Sequence, residues 1–296
     1  MKSGFVGLIG RPNVGKSTLM NSILGKKVAI TSSKPQTTRN IIQGIYNEED
    51  TQIIFVDTPG IHKPQSKLGK FLNEEAFFSI NDVDVILFVT DVSVPLGKGD
   101  QYIINLFKEI TTPVILVLNK IDKLPKEEIL LKIDEYKDLY NFTEIVPISS
   151  IKKDNIDRLI EVLKKYLKDN IRYFDKNTYT SSPINFIISE LIREKVFNLT
   201  EEEIPHTIAT YIENIEDKNN AVTINGVIVT DRENIKKIII GKQGSMIKEI
   251  GTQARKDIES LLGKKVYLEL FVKVIPKWRD KERYLKELGF RKSDFE

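Results

Sequence analysis

Cysteine is absent from the 296 residues, and histidine occurs only as His62 and His206. The first absence removes disulfide scaffolds, thiolate metal centres and cysteine nucleophiles, and the second removes a histidine-rich metal centre. No apolar run approaches the roughly 20 residues of a membrane-spanning helix. The apolar stretch after Lys2 is too short for a secretory signal, so the expected location is the cytoplasm. Charge of one sign is lacking too: 45 Lys and Arg face 42 Asp and Glu, and a formal net charge of +3 names no partner. What remains, 41% hydrophobic and 29% charged residues, is ordinary soluble-protein composition. The length suggests two domains, each large enough for its own core.

The most informative segment is Gly10-Arg11-Pro12-Asn13-Val14-Gly15-Lys16-Ser17, which fits G-x-x-x-x-G-K-[ST]. It lies between an apolar run at 5–9 that reads as a buried strand and a helical pattern (Thr18, Leu19, Met20, Ile23, Leu24) stopped by Gly25. Such a loop turns backbone N–H groups, those of Val14 and Gly15 among them, onto phosphate, and glycine permits the close approach. Lys16 then neutralises β- and γ-phosphate charge, while Ser17 offers its hydroxyl to Mg2+. Asn119-Lys120-Ile121-Asp122 follows a second apolar run at 114–118. Asp122 can accept both N1–H and the exocyclic amine of guanine, a donor pair that adenine lacks. Lys120 can lay its stem along the purine, and Asn119 can tie this loop to the phosphate loop. The nucleotide expected is GTP or GDP.

Between these motifs, 53–56 reads as a buried strand ending in Asp57-Thr58-Pro59-Gly60. Asp57 is placed to hold Mg2+ through a water, and the Gly60 amide to sense the γ-phosphate. Gln36-Thr37-Thr38-Arg39 lies in a polar stretch suited to a loop ordered by Mg2+ and γ-phosphate, one threonine being the expected ligand. The backbone at Ser149 and Ser150 could contact the guanine carbonyl. Ile61 follows Gly60, and an isoleucine orients no water, so slow unassisted turnover is expected. His62 is read as a solvated loop residue rather than a base.

Strand-like runs at 5–9, 53–56, 85–90, 114–118 and 145–148 alternate with helical stretches, the pattern of an α/β fold with a mostly parallel sheet. Residues 155–168 read as the last helix of this part, and 1–170 as a GTP-binding domain. Residues 171–183 lose periodicity and are read as a linker. In 184–296, an amphipathic helix at 184–198 precedes alternating strands at 207–215 and 222–230. An apolar run at 238–240 leads into Gly241-Lys242-Gln243-Gly244, then a helix and a strand at 265–274. A G-x-x-G loop lets a nucleic-acid backbone approach a helix start closely. Residues 232–281 hold thirteen Lys and Arg against six Asp and Glu, whereas 190–231 hold three against nine. That asymmetry fits a phosphate-binding face. Trp278 stacks on a base or, the preferred reading, seals the core.

The blocks G-x-x-x-x-G-K-S, T-T-R, D-T-P-G, N-K-x-D and S-S, in this order, resemble the translation-factor-like P-loop GTPases. GRPNVGKST with PQTTR and DTPG, together with the G-x-x-G segment, is similar to the Era family, and the likeness covers nearly the whole chain. The resemblance implies a P-loop GTPase domain followed by an α+β KH domain of the bacterial type (type II). It implies GTP hydrolysis with Lys16, Thr38 and Gly60 in the catalytic machinery. It further implies nucleotide contacts from Gly10, Asn13, Val14, Gly15, Lys16, Ser17, Thr18, Asp57, Gly60, Asn119, Lys120, Asp122, Ser149 and Ser150. Mg2+ would be held by Ser17, Thr38 and Asp57, and K+ beside Asn13. RNA, not DNA, would be held by Ile240, Gly241, Lys242, Gln243, Gly244 and Lys248. The partner implied is the 3′ region of 16S ribosomal RNA in the small (30S) subunit, with peripheral contact at the inner face of the cell membrane as a further expectation. Ser150 departs from the usual Ser-Ala pair. A GTP-dependent switch with a membrane- or protein-binding second domain is the alternative. A tRNA-modifying GTPase is a third reading, but no catalytic cysteine or cofactor module is visible.

Overall fold

Alternation of buried runs with amphipathic stretches places the first sheet, and the computed structural model gives its order. It describes residues 1–31, 41–61, 82–201, 204–218 and 220–278, which divide into two units, the first reaching Ser181 and the second beginning at Ser182. In the first, six strands stand in the order β2-β3-β1-β4-β5-β6. They are β1 (Lys2–Ile9), β2 (Ile42–Asn47), β3 (Thr51–Asp57), β4 (Val85–Asp91), β5 (Val114–Asn119) and β6 (Glu144–Pro147). β1 pairs in parallel with β3 and β4, and β4, β5 and β6 continue in parallel. Every residue of β3, β4 and β5 is buried, as expected where helices cover both faces of a parallel sheet. Helix Lys16–Leu24 ends at Gly25 with φ 63°, the left-handed stop expected of glycine.

Two features depart from the reading of the sequence. β2 is an additional edge strand, antiparallel to β3; its Gly44 and polar residues hid the alternation. The segment read as a linker from 171 is bonded to the first unit through Ser181. The Ile45 amide donates to Tyr179 O at 2.9 Å, and Thr180 Oγ1 to Gln43 O at 2.7 Å. Buried Gln52 accepts from the Tyr173 and Phe174 amides (2.8 and 3.0 Å) and donates to Phe174 O (2.8 Å). The segment therefore straps the β2 edge of the sheet.

In the second unit, helix Ile184–Leu199 precedes β7 (Ala209–Lys218) and β8 (Ala221–Thr230). Helices Glu233–Ile240 and Ser245–Leu262 then lead to β9 (Lys265–Val274). The sheet order is β7-β8-β9, with β7 antiparallel and β9 parallel to β8. The αββααβ order and this mixed sheet are those expected of the KH type. Ile250, Ala254 and Ile258, four residues apart, form one fully buried helix face against Ile188, Ile192, Ile224 and Ile239. On the other sheet face, Trp278 packs with Ala209, Val227, Val229 and Ile275, and its Nε1 donates to Thr207 O at 3.1 Å. It seals a core and leaves no indole for a base.

Candidate functional site

Ligands of parallel sheets bind at the carboxyl ends of the strands. Ile9, Asp57, Asp91 and Asn119 end β1, β3, β4 and β5 there. After Ile9 the chain turns through Gly10 (φ 159°), Asn13 (φ 66°) and Gly15 (φ 102°) into helix Lys16–Leu24. A Cβ on Gly10 would meet Val89 O at 2.3 Å, and one on Gly15 would meet Asn119 Nδ2 at 2.4 Å. The positive φ of Gly15 and these approaches are why the loop needs glycine.

Lys16 is buried along this loop and donates from Nζ to Gly10 O (3.0 Å) and Arg11 O (3.1 Å). Burial lowers its pKa to about 8, against the opposing pull of Asp57. Asp57 is fully buried and accepts from Ser17 Oγ at 2.5 Å. Burial raises its carboxyl pKa to about 6, although Lys16 and the Ser17 hydroxyl both favour the ionised form. Its Oδ1 has no hydrogen-bond partner among the described residues. An orphaned buried carboxylate oxygen beside a hydroxyl is an oxygen donor set that fits a hard divalent cation. Thr18 is half-buried, the third residue of the helix.

Asn119 is the hub between the two nucleotide motifs. Its Nδ2 donates to Val14 O at 2.8 Å, and its Oδ1 accepts from the amides of Lys120 (2.8 Å) and Ser150 (3.0 Å) and from Ser150 Oγ (2.9 Å). The tie between loops expected of Asn119 is therefore present. The Ser150 hydroxyl thus adds a second bond from that residue to the hub. Lys120 extends back over the phosphate loop, with Nζ 2.7 Å from Asn13 O and 2.5 Å from Asp91 Oδ2. Burial alone would raise the Asp91 pKa, but hydrogen bonds from Lys120 and Ser93 hold it below its usual value. Ser149 Oγ donates to Asp122 Oδ1 at 2.5 Å, so its hydroxyl fixes the carboxylate expected to read guanine.

Gly60 lies against the phosphate loop: a Cβ there would meet Pro12 N at 2.6 Å and Pro12 Cα at 2.8 Å. The next residue, Ile61, is fully buried in a core cluster with Ile9, Val56 and Ile86. That side chain is therefore withdrawn from any attacking water. Gln36, Thr37, Thr38, Arg39 and His62 lie outside the described residues.

Three contributors escaped the reading of the sequence: Asp91, Arg11 and Asp100. Asp91 ends β4 as Asp57 ends β3, a positional signal that could have found it. Arg11 Nε donates to buried Asp100 at 2.9 Å, and Asp100 also accepts from the Gly97 amide at 3.0 Å. This pair ties the phosphate loop to helix Lys98–Leu106, and no sequence spacing announces it.

In the second unit, helix Glu233–Ile240 closes at Gly241 (φ 74°), and Gln243 (φ 52°) and Gly244 (φ 78°) continue left-handed into helix Ser245–Leu262. A Cβ on Gly241 would meet Met246 N and Cβ at 2.7 Å, whereas nothing lies within 4 Å of one on Gly244. Gly241 therefore permits the sharp turn. Gly244 faces open space at the uncapped start of an 18-residue helix. Lys242, Gln243 and Lys248 are exposed and Ile240 is half-buried. The loop can thus present backbone N–H groups and a cation to a phosphodiester.

Residues 5–120 match the family described as 50S ribosome-binding GTPase, and residues 203–279 match the KH domain. GTPase Era of Leuconostoc citreum is 49% identical over 99% of this chain and 98% of its own length. The crystal structure of Era in complex with MgGDPNP and nucleotides 1506–1542 of 16S ribosomal RNA superposes with a TM-score of 0.93. It shares 44% identity, covering 98% of this chain and 99% of the other. A variant of Aquifex aeolicus Era bound to GDP and AlF4− gives the same TM-score, identity and coverage. A phosphate loop locked to an N-K-x-D loop, a G-x-x-G loop in a separate αββααβ unit and near-half identity along the whole length have one joint meaning: the chain belongs to the Era family of GTPases.

Proposed function

We propose that hydrolysis of GTP in the first unit governs binding of the 3′ region of 16S ribosomal RNA by the second, in assembly of the small ribosomal subunit. The observation that carries this reading is the pairing, in one chain, of the Asn119-locked phosphate loop with a G-x-x-G turn whose Gly244 opens onto free space. A relative of 44% identity is seen with both MgGDPNP and 16S ribosomal RNA, which supports carrying the two ligands over. On this reading the work is cytoplasmic, and contact with the inner face of the membrane is peripheral. Among the described residues no helix is long and apolar enough to cross a membrane.

The residues divide the chemistry as follows. Lys16 holds its charge against burial that lowers its pKa to about 8, a cost of about 3 kcal/mol, which phosphate oxygens replace with direct pairing. Ser17 and Asp57 hold Mg2+ next to those oxygens, where the metal neutralises charge developing on the transferred phosphoryl group. The Gly60 amide, beside Pro12, reports whether a γ-phosphate is there. Asp122, fixed by Ser149, selects guanine. With Ile61 in the core, water is oriented without a side chain from that position, and we extend the proposal to a K+ ion beside Asn13. Equal hydrolysis rates in Na+ and K+ would remove the monovalent ion.

The reading is tested by changing Lys242 and Gln243 together to Asp, which removes one cation and adds two carboxylates beside the RNA phosphates. Affinity for the 1506–1542 RNA in a filter-binding assay should collapse and its salt dependence shrink, while GTP binding persists. A folded double variant with wild-type RNA affinity would defeat the KH assignment.

A further inference from the structure

The outer face of the second unit's sheet carries a feature that the G-x-x-G loop does not use. β9 alternates strictly: Val266, Leu268, Leu270 and Val272 pack into the core with the helices flanking the G-x-x-G loop. Lys265, Tyr267, Glu269, Phe271 and Lys273 are exposed on the other face. Tyr267 is 65% and Phe271 52% accessible, high values for large rings. Phe271 stands opposite Val227 of β8, which stands opposite Tyr211 of β7. Phe271 therefore extends the apolar patch that Trp278 seals, whereas Tyr267 stands two rows along, opposite Thr223.

Chemistry selects among the occupants of such a strip. Neither Lys265 nor Lys273 has an ion-pair partner among the described residues, and they bracket the two rings on the same face. On β9 the acid of this face is Glu269, between the rings, where it can accept from a base amine; Glu216 of β7, in the row of Tyr267, is paired with Lys218 at 3.1 Å. Tyr267 and Phe271 are about 13 Å apart along the strand, a gap suited to an extended strand with unstacked bases. Exposed aromatics on a sheet, flanked by cations, are how single-stranded RNA is held when bases stack on a platform. β9 is the edge strand of its sheet, so a chain leaving the G-x-x-G side reaches this face by rounding one edge. The relative's RNA, nucleotides 1506–1542, is far longer than the roughly four nucleotides that a G-x-x-G loop clamps.

We propose that Tyr267 and Phe271, flanked by Lys265 and Lys273, form a second RNA contact on the outer face of β9, stacking bases of a single-stranded stretch beyond the G-x-x-G groove. This rests on the RNA-binding reading above, and the test separates the two. Tyr267→Ala with Phe271→Ala, and separately Tyr267→Leu with Phe271→Leu, are made in the full chain. Binding is measured to the 1506–1542 RNA and to short oligonucleotides tiling it. Stacking predicts a roughly five- to hundredfold loss for the long RNA with either pair, and no loss for the short piece that fills only the groove. Ultraviolet cross-linking should yield RNA adducts at Tyr267 or Phe271. Unchanged affinity of the folded variants for the long RNA, while the Lys242 and Gln243 double variant fails, overturns the platform and leaves the KH reading intact. Equal loss on all short pieces would mark general damage to the domain, and a changed sedimentation coefficient without RNA would mark a protein interface. Either result also overturns the platform.

Discussion

Asn119→Asp changes one atom type at the centre of the nucleotide site, and the geometry dictates a distinctive response. The three bonds accepted by Oδ1, from the Lys120 and Ser150 amides and Ser150 Oγ, survive the change. The bond donated by Nδ2 to Val14 O, at 2.8 Å, becomes a carboxylate oxygen facing a carbonyl oxygen, at a position 1% exposed. Losing a buried hydrogen bond and leaving its acceptor unsatisfied costs about 2–4 kcal/mol. The alternative is for the new carboxyl to keep a proton and restore the bond, which raises its folded-state pKa above the unfolded value of about 3.9. A carboxyl shifted upward makes the native state bind more protons, so stability is fully present at low pH and falls as pH rises through that interval. Urea denaturation of the nucleotide-free variant should therefore show stability within about 1 kcal/mol of wild type near pH 4.5 and a deficit of about 2–4 kcal/mol at pH 8. GDP affinity, followed with a fluorescent analogue, should weaken by roughly thirtyfold or more over the same range relative to wild type. A variant whose stability and affinity follow those of wild type at every pH would refute Asn119 as the tie between the loops.

Asp122→Asn should move preference from guanine toward xanthine nucleotides, because the amide offers a donor where the carboxylate only accepts; parallel GTP and XTP titrations decide it. Gly60→Ala places a methyl 2.6–2.8 Å from Pro12, so hydrolysis should fall at least tenfold in single-turnover assays while GDP binding persists. Mg2+-dependent nucleotide affinity should decline below about pH 6, where the Asp57 carboxyl takes up a proton and competes with the metal; calorimetry at pH 5 and pH 8 measures this. Asp100→Ala strips the Arg11 guanidinium and the Gly97 amide of their acceptor and should cost about 1–3 kcal/mol on a thermal melt.

Short-range chemistry made much of this legible in the sequence. Gly10, Gly15, Lys16 and Ser17 declare themselves because a phosphate loop needs them at fixed offsets. Asn119, a hundred residues away, is named by its tetrapeptide. The fully buried strands β3, β4 and β5 read as apolar runs for the same local reason. What stayed hidden depends on pairs far apart in sequence. Arg11 meets Asp100, and Asp91 meets Lys120, only once the parallel sheet has aligned their strands. Tyr267 and Phe271 looked like ordinary alternation until the register showed which face the helices cover. Trp278 was ambiguous in sequence because an indole serves core and base equally; Thr207 O and the Val227 and Val229 side chains decide it.

The strap of residues 171–181 carries a practical consequence for anyone dividing the protein. Without it, β2 presents a bare row of amides and carbonyls at the rim of a six-stranded sheet, a template on which another molecule's strand can add. Bonds donated by the Ile45 amide to Tyr179 O and by Asn47 Nδ2 to Thr178 O occupy that rim, and Lys26 caps the Tyr179 ring at 4.2 Å. A GTPase fragment ended at residue 170 would expose the rim and also unseat Gln52, inviting insoluble edge-to-edge stacking. One ended after Ser181 keeps its own edge guard and is the fragment suited to crystallisation or NMR.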